Sequence, residues 1–65
     1  MFMKCATLRD EFDISASTAK RVCRYMRESP NYRCPGDYLK IGGMWRYNVD
    51  SFITASNERS KNGVL

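Results

Sequence analysis

Apolar positions recur at helical spacing in two neighbouring stretches, then give way to a short alternating stretch further on. Cys5, Leu8 and Phe12 stand at i, i+3 and i+7, which predicts a helix starting near Met3 or Lys4 and ending near Phe12. Thr7, with Asp10 three residues on, is an alternative N-cap that would shorten this helix to two turns. The stretch from Asp13 to Glu28 is the stronger signal. At about 100° per residue Ala19, Val22, Cys23 and Met26 share one face. Ser17, Lys20, Arg21, Arg24 and Arg27 share the other, with Thr18 and Tyr25 at the boundary. Ser15 is placed to cap the helix through its hydroxyl, and Ile14 and Ala19 hold the two positions of a hydrophobic staple. Pro30 disfavours helical dihedrals before it, so the helix ends by Ser29.

Asp13 and Ile14 alone separate the two helices, the spacing of a helix-turn-helix, with Ile14 filling the gap between them. Asp13 occupies a position that favours glycine, and Asp tolerates left-handed dihedrals better than most residues. Pro30 to Asp37 has loop composition, with a turn at Pro35-Gly36. Tyr38–Ile41 and Trp45–Tyr47 read as a hairpin. A two-residue Gly42-Gly43 turn is the simplest connection, but it mixes apolar and charged residues on each face. A three-residue loop pairs Ile41 with Trp45 and Leu39 with Tyr47, gathers four apolar side chains on one face, and leaves Lys40 and Arg46 together on the other. Register follows burial, so the three-residue loop is expected. Asn48 then caps a last helix over Val49–Ser56, with Asp50 suited to its first turn and Phe52, Ala55 and Val49 pointing inward. Met1–Met3 is expected to be loosely held. The predicted fold is α+β: a winged helix-turn-helix of two N-terminal helices, a β-hairpin wing and a C-terminal helix over residues 1–56, with a flexible tail over 57–65.

Charge adds a direction to this frame. The 65 residues carry a net charge of +4. Lys20 to Arg46 holds seven cations and two acids, while the remainder is slightly acidic. Localised positive charge points to an anionic partner. No histidine is present, which removes the commonest general base and metal ligand. Cys5, Cys23 and Cys34 are odd in number and form no C-x-x-C pair, so they are expected to be two core thiols and one loop thiol rather than a zinc site. Ser17 and Thr18 have no matched base, and no cofactor or catalytic constellation is expected. No apolar run has the length of a signal peptide or membrane span, and a cytoplasmic, nucleoid-associated location is expected.

In such a module the second helix enters the major groove of duplex DNA with its N-terminal residues at base edges. Those residues are Ser15, Ser17, Thr18, Lys20 and Arg21. Arg24 and Arg27 lie further along, better placed for phosphates. Lys40 and Arg46, around a Gly42-Gly43 tip whose lack of side chains permits close approach, form a cationic wing for the backbone or a minor groove. The competing reading of the cations is a solvated face, with Arg24 and Glu28 as an i, i+4 pair. For Trp45 and Tyr47, a place in the core is favoured over a base-stacking platform, because so short a chain needs its rings inside.

Ile14-Ser15-Ala16-Ser17-Thr18-Ala19-Lys20-Arg21 resembles the helix opening of small excisionase-like and mercury-regulator-like helix-turn-helix proteins. Lys40-Ile41-Gly42-Gly43-Met44-Trp45-Arg46-Tyr47-Asn48-Val49-Asp50-Ser51-Phe52 resembles their wing and following helix. The two runs, in this order and spacing, span most of Lys4 to Ala55. The resemblance implies a recombination directionality factor of a phage or conjugative transposon. Such a protein binds repeated sites beside an attachment region, often several copies side by side. It bends the DNA so that a tyrosine integrase assembles an excising complex. Position by position it implies recognition through Ser15, Ser17, Thr18, Lys20, Arg21 and Arg24, and wing contacts through Lys40, Gly43 and Arg46. Asp13 departs from the usual glycine, and the loop from Ser29 to Asp37 is longer than common. A small transcriptional regulator would use the same contacts. A basic module covering an acidic protein partner is the reading from a different class.

Overall fold

The computed structural model describes residues 1–61. The chain runs β1 (Phe2–Met3), α1 (Cys5–Glu11), α2 (Ala16–Glu28), β2 (Tyr38–Ile41), β3 (Met44–Asn48) and α3 (Val49–Lys61). It is an α+β fold of three helices and one antiparallel sheet of order β1-β3-β2.

The helical pair forms where local chemistry demands it. α1 closes with two backbone bonds, Asp13 N–H to the Asp10 carbonyl at 3.4 Å and Ile14 N–H to the Arg9 carbonyl at 3.1 Å. This is a Schellman closure, which requires a left-handed residue just past the helix. Asp13 is that residue, at φ 53°. The closure turns Ile14 inward onto the core. Ser15 then caps α2, its Oγ accepting from the Thr18 N–H at 3.1 Å. The stripe of Ala19, Val22, Cys23 and Met26 is buried, meeting Leu8 from α1, Phe52 and Ala55 from α3, Tyr47 from β3 and Tyr32 from the loop. Asn48 caps α3 by accepting from the Ser51 N–H at 3.1 Å.

Three expectations are corrected. Met1–Met3 is held as a strand: Phe2 pairs with Asn48 and Met3 with Tyr47, and the Val49 N–H donates to the Met1 carbonyl at 3.0 Å. The hairpin uses the two-residue turn, with Ile41 opposite Met44, Lys40 opposite Trp45, Leu39 opposite Arg46 and Tyr38 opposite Tyr47. Gly42 and Gly43 both have positive φ, 56° and 80°, the tight hairpin geometry whose twist matches that of the strands and which Gly-Gly adopts without strain. Turn chemistry outweighed the count of apolar side chains per face. By strand alternation Tyr38, Lys40, Trp45 and Tyr47 share one face, and Leu39, Ile41, Met44 and Arg46 the other. The core sits under the aromatic face, where Tyr38 meets Trp45 at 5.6 Å and Tyr47 at 6.5 Å between ring centroids. Lys40 and Arg46, expected on one face, therefore lie on opposite faces.

The third correction concerns the end of the domain. α3 does not stop at Ser56 but continues to Lys61. Residues Asn57 to Lys61 belong to this helix; the rest of the expected tail, 62–65, lies outside the described residues. The extension is anchored. Glu58 Oε1 accepts from the Tyr32 hydroxyl at 2.6 Å and the Tyr25 hydroxyl at 3.2 Å, and Arg59 is buried. The long loop is tied as well: Asp37 accepts from the Ser51 hydroxyl at 2.6 Å and the Arg33 N–H at 2.9 Å, and its carbonyl accepts from the Asn48 N–H at 2.8 Å.

Candidate nucleic-acid interface

α2 is about 20 Å long at 1.5 Å per residue, and its buried stripe fixes which side chains face out. Ser17, Arg21 and Arg24 lie opposite the core and are exposed. Lys20 and Arg27 lie on the flank toward α1 and the hairpin, while Thr18 and Tyr25 lie on the flank toward α3.

The expected contact residues are in different states of engagement. Ser15 donates its hydroxyl to the Thr18 Oγ1 at 2.8 Å while capping the helix, so the structure commits both hydroxyls to the helix start. Ser17 Oγ is 3.3 Å from the Ser15 Oγ. Among the described residues, Lys20 and Arg21 are exposed and make no side-chain hydrogen bond or ion pair. Arg24 pairs with Glu28 at 3.0 Å, with both side chains well exposed. Such a pair is worth a few tenths of a kcal/mol, roughly 0.3–0.5, and yields readily to a phosphate.

Arg27 is turned away from the outer face. It donates to the Tyr47 hydroxyl at 2.6 Å and its guanidinium lies 5.6 Å from the Trp45 ring centroid. Lys40 lies over the same ring at 5.4 Å. Trp45 is half-buried with both cations near its ring, whereas Tyr47 is fully buried. Burial pushes the Tyr47 hydroxyl up to about 12, partly offset by the Arg27 charge. Burial, followed by the neighbouring Cys5 thiol, raises the Cys23 thiol well above its ordinary value and keeps it protonated. The three cysteines are free: Cys23 buried, Cys5 half-buried and Cys34 exposed, as the sequence suggested.

A groove of about 340 Å³ opens between the start of α1, the end of α2 and the hairpin turn. Lys4, Arg27 and Trp45 line it, and Gly43 and Met44 border it. Lys4 is the cation that sequence reasoning missed. It enters this surface only because β1 pins the N-terminus to β3, and two residues of strand carry no periodic signal. Gly43, at the tip, is exposed with nothing within 4 Å of where a Cβ would stand. Arg46 is half-buried on the outer sheet face.

The arrangement is a cationic rim running from Lys20 and Arg21 past Arg24 and Arg27 to Lys40, with Lys4 beside it. The acids Asp10, Glu11 and Asp13 collect at the opposite end of α1. Such a surface can neutralise phosphates and offer hydrogen-bond donors to base edges. Among the described residues no group of three or more Cys, Asp or Glu side chains comes together to hold a metal ion, and no helix is long and apolar enough to cross a membrane. No protein-family model, curated protein or solved structure matches the chain.

Proposed function

We propose that the chain is a winged helix-turn-helix protein that binds duplex DNA selectively and acts, without catalysis of its own, as an excisionase that directs a tyrosine integrase toward excision of a mobile element. One observation carries the DNA reading: Lys20, Arg21 and Arg24 project together from a helix whose opposite stripe is locked in the core. A rigid helix presents its donors at fixed spacing, which base reading requires. The sharp turn before α2 and the glycine-tipped hairpin beside its end support the same reading. The excisionase assignment rests on the resemblance of the helix opening and the hairpin run.

Ser17, Lys20 and Arg21 read base edges in the major groove. Arg24 exchanges Glu28 for a phosphate. Arg27 holds the wing through Tyr47 and Trp45 and presents residual charge to the backbone. Lys40, Gly43 and Arg46 meet the strand beside the wing. Neutralising about five phosphates makes log affinity fall with log salt at a slope of about −4 to −5. Fluorescence anisotropy with duplexes from the flanks of the gene, over a salt series, measures it. Arg21→Ala weakens the preferred site most, by about 1–3 kcal/mol, and flattens sequence preference. Arg24→Ala weakens all duplexes alike. A flat salt dependence rejects DNA binding and favours the acidic-protein partner. Steep, site-selective binding that leaves integrase-dependent excision unchanged rejects the excisionase role and favours a regulator.

A further inference from the structure

The hairpin register leaves two large apolar side chains exposed at the tip. Ile41 is 56% exposed and Met44 49% exposed. They are directly opposite each other in the last pair before the turn, on the sheet face away from the core. Side chains so paired stand about 5 Å apart, so they form one apolar knob rather than two scattered residues. Both are exposed, unlike Tyr38 and Trp45, which pack against the core from the other face.

The chemistry around the knob is graded. Ile41-Gly42-Gly43-Met44 carries no charge, and open space surrounds both glycine Cβ positions. Lys40 follows one residue behind on one face. Arg46 follows two residues behind Met44 on the other, about 7 Å back along the strand. A two-stranded ribbon is wider than an undistorted minor groove of about 6 Å, so the bare glycine tip enters only as the groove opens, which is the deformation an apolar wedge at a base step produces. An apolar tip with cations set back on both faces matches a groove whose floor is base edges and whose rims are phosphates. Side chains such as Ile and Met inserted at a base step unstack it and bend the duplex toward the major groove.

We propose that Ile41 and Met44 form an apolar wedge that enters the minor groove and opens a base step, so that the wing kinks the DNA rather than only resting on its backbone. This rests on the duplex-binding reading above. Lys40 and Arg46 clamp the two phosphate rims as the wedge enters, and flexible pyrimidine–purine steps are the preferred place of entry.

The test uses the full chain and duplexes from the gene's flanks carrying 2-aminopurine at successive positions, with dyes at both ends to report bending. The native protein is expected to raise 2-aminopurine emission several-fold at one step per bound copy and to bring the duplex ends closer. Ile41→Ser with Met44→Ser is expected to abolish the emission rise and most of the bend while keeping the salt slope. Because polar serine is a weak strand former, Ile41→Thr with Met44→Thr is measured beside it, with the same expectation and an unchanged thermal melt. Steep, site-selective binding by the native protein with no emission rise at any step overturns the wedge alone. An emission rise that both variants retain also overturns it. A DNA-free dimer that both variants dissolve overturns it in favour of a second copy covering the knob. Absence of duplex binding by the native protein overturns the wedge together with the DNA reading.

Discussion

Replacing Glu58 with alanine asks whether the end of α3 is structure or tail. Glu58 Oε1 receives the Tyr32 hydroxyl at 2.6 Å and the Tyr25 hydroxyl at 3.2 Å, tying α3 to the loop after α2 and to α2 itself. Tyr32 is only 8% exposed, so its hydroxyl has little access to replacement water. A hydrogen bond to a charged acceptor contributes roughly 1.5–3 kcal/mol; the half-buried carboxylate reduces that, leaving about 1–2 kcal/mol for the Tyr32 bond. A domain of this length has a total stability of roughly 3–10 kcal/mol. At about 4–8 °C per kcal/mol, Glu58→Ala should lower Tm by about 5–15 °C. Thermal denaturation followed by circular dichroism at neutral pH measures it. Glu58→Gln keeps an acceptor oxygen and should lose about half as much. Tyr32→Phe should lose a similar amount, and the double variant should show coupling of about 0.5–2 kcal/mol rather than additivity. A Glu58→Ala melt within 2 °C (roughly 0.3–0.5 kcal/mol) of the native chain, or strict additivity with Tyr32→Phe, would refute the anchoring of this helix end.

Two further outcomes follow from local geometry. Ser15→Ala removes the cap on the Thr18 N–H and should destabilise by about 1 kcal/mol, read from urea midpoints, while Ser15→Asp should hold stability and Ser15→Gly lose only a few tenths. Asp37 is held below its ordinary carboxyl range by the Ser51 hydroxyl and then by the Arg33 N–H. Because its folded pKa is depressed, its stabilisation is complete above the unfolded value of about 3.9 and is lost as pH falls through the folded value. Asp37→Asn should therefore be less stable by about 1–2 kcal/mol at pH 7, with the gap closing below about pH 4; a gap independent of pH would contradict the carboxylate's role.

The contrast between α2 and the hairpin shows why part of the fold is legible in the residues and part is not. The Ser15 cap, the stop before Pro30, the buried stripe of Ala19, Val22, Cys23 and Met26, and the left-handed Asp13 are each settled within about four residues of chain. Short-range hydrogen bonds and a fixed helical period make them readable. Which α2 side chains point outward follows from the same period. The hairpin register is different: it was decided between the steric demand of Gly42-Gly43 and the wish to bury Leu39 and Ile41, and the turn prevailed because the aromatic face alone fills the core. β1 exists only because β3 offers it an edge. The last turns of α3 exist only because Tyr25 and Tyr32 meet Glu58 from more than twenty residues away.

The candidate site divides along the same line. The charge, the cation types and their helical spacing belong to the chain itself, so the expectation of an anionic partner comes from residues alone. How each cation is spent belongs to the packed molecule. Arg27 is drawn off to Tyr47 and Trp45, Lys4 is brought to the groove, and Lys40 and Arg46 are divided between two faces. Contacts between distant segments form only once the core is closed, and no local period encodes them.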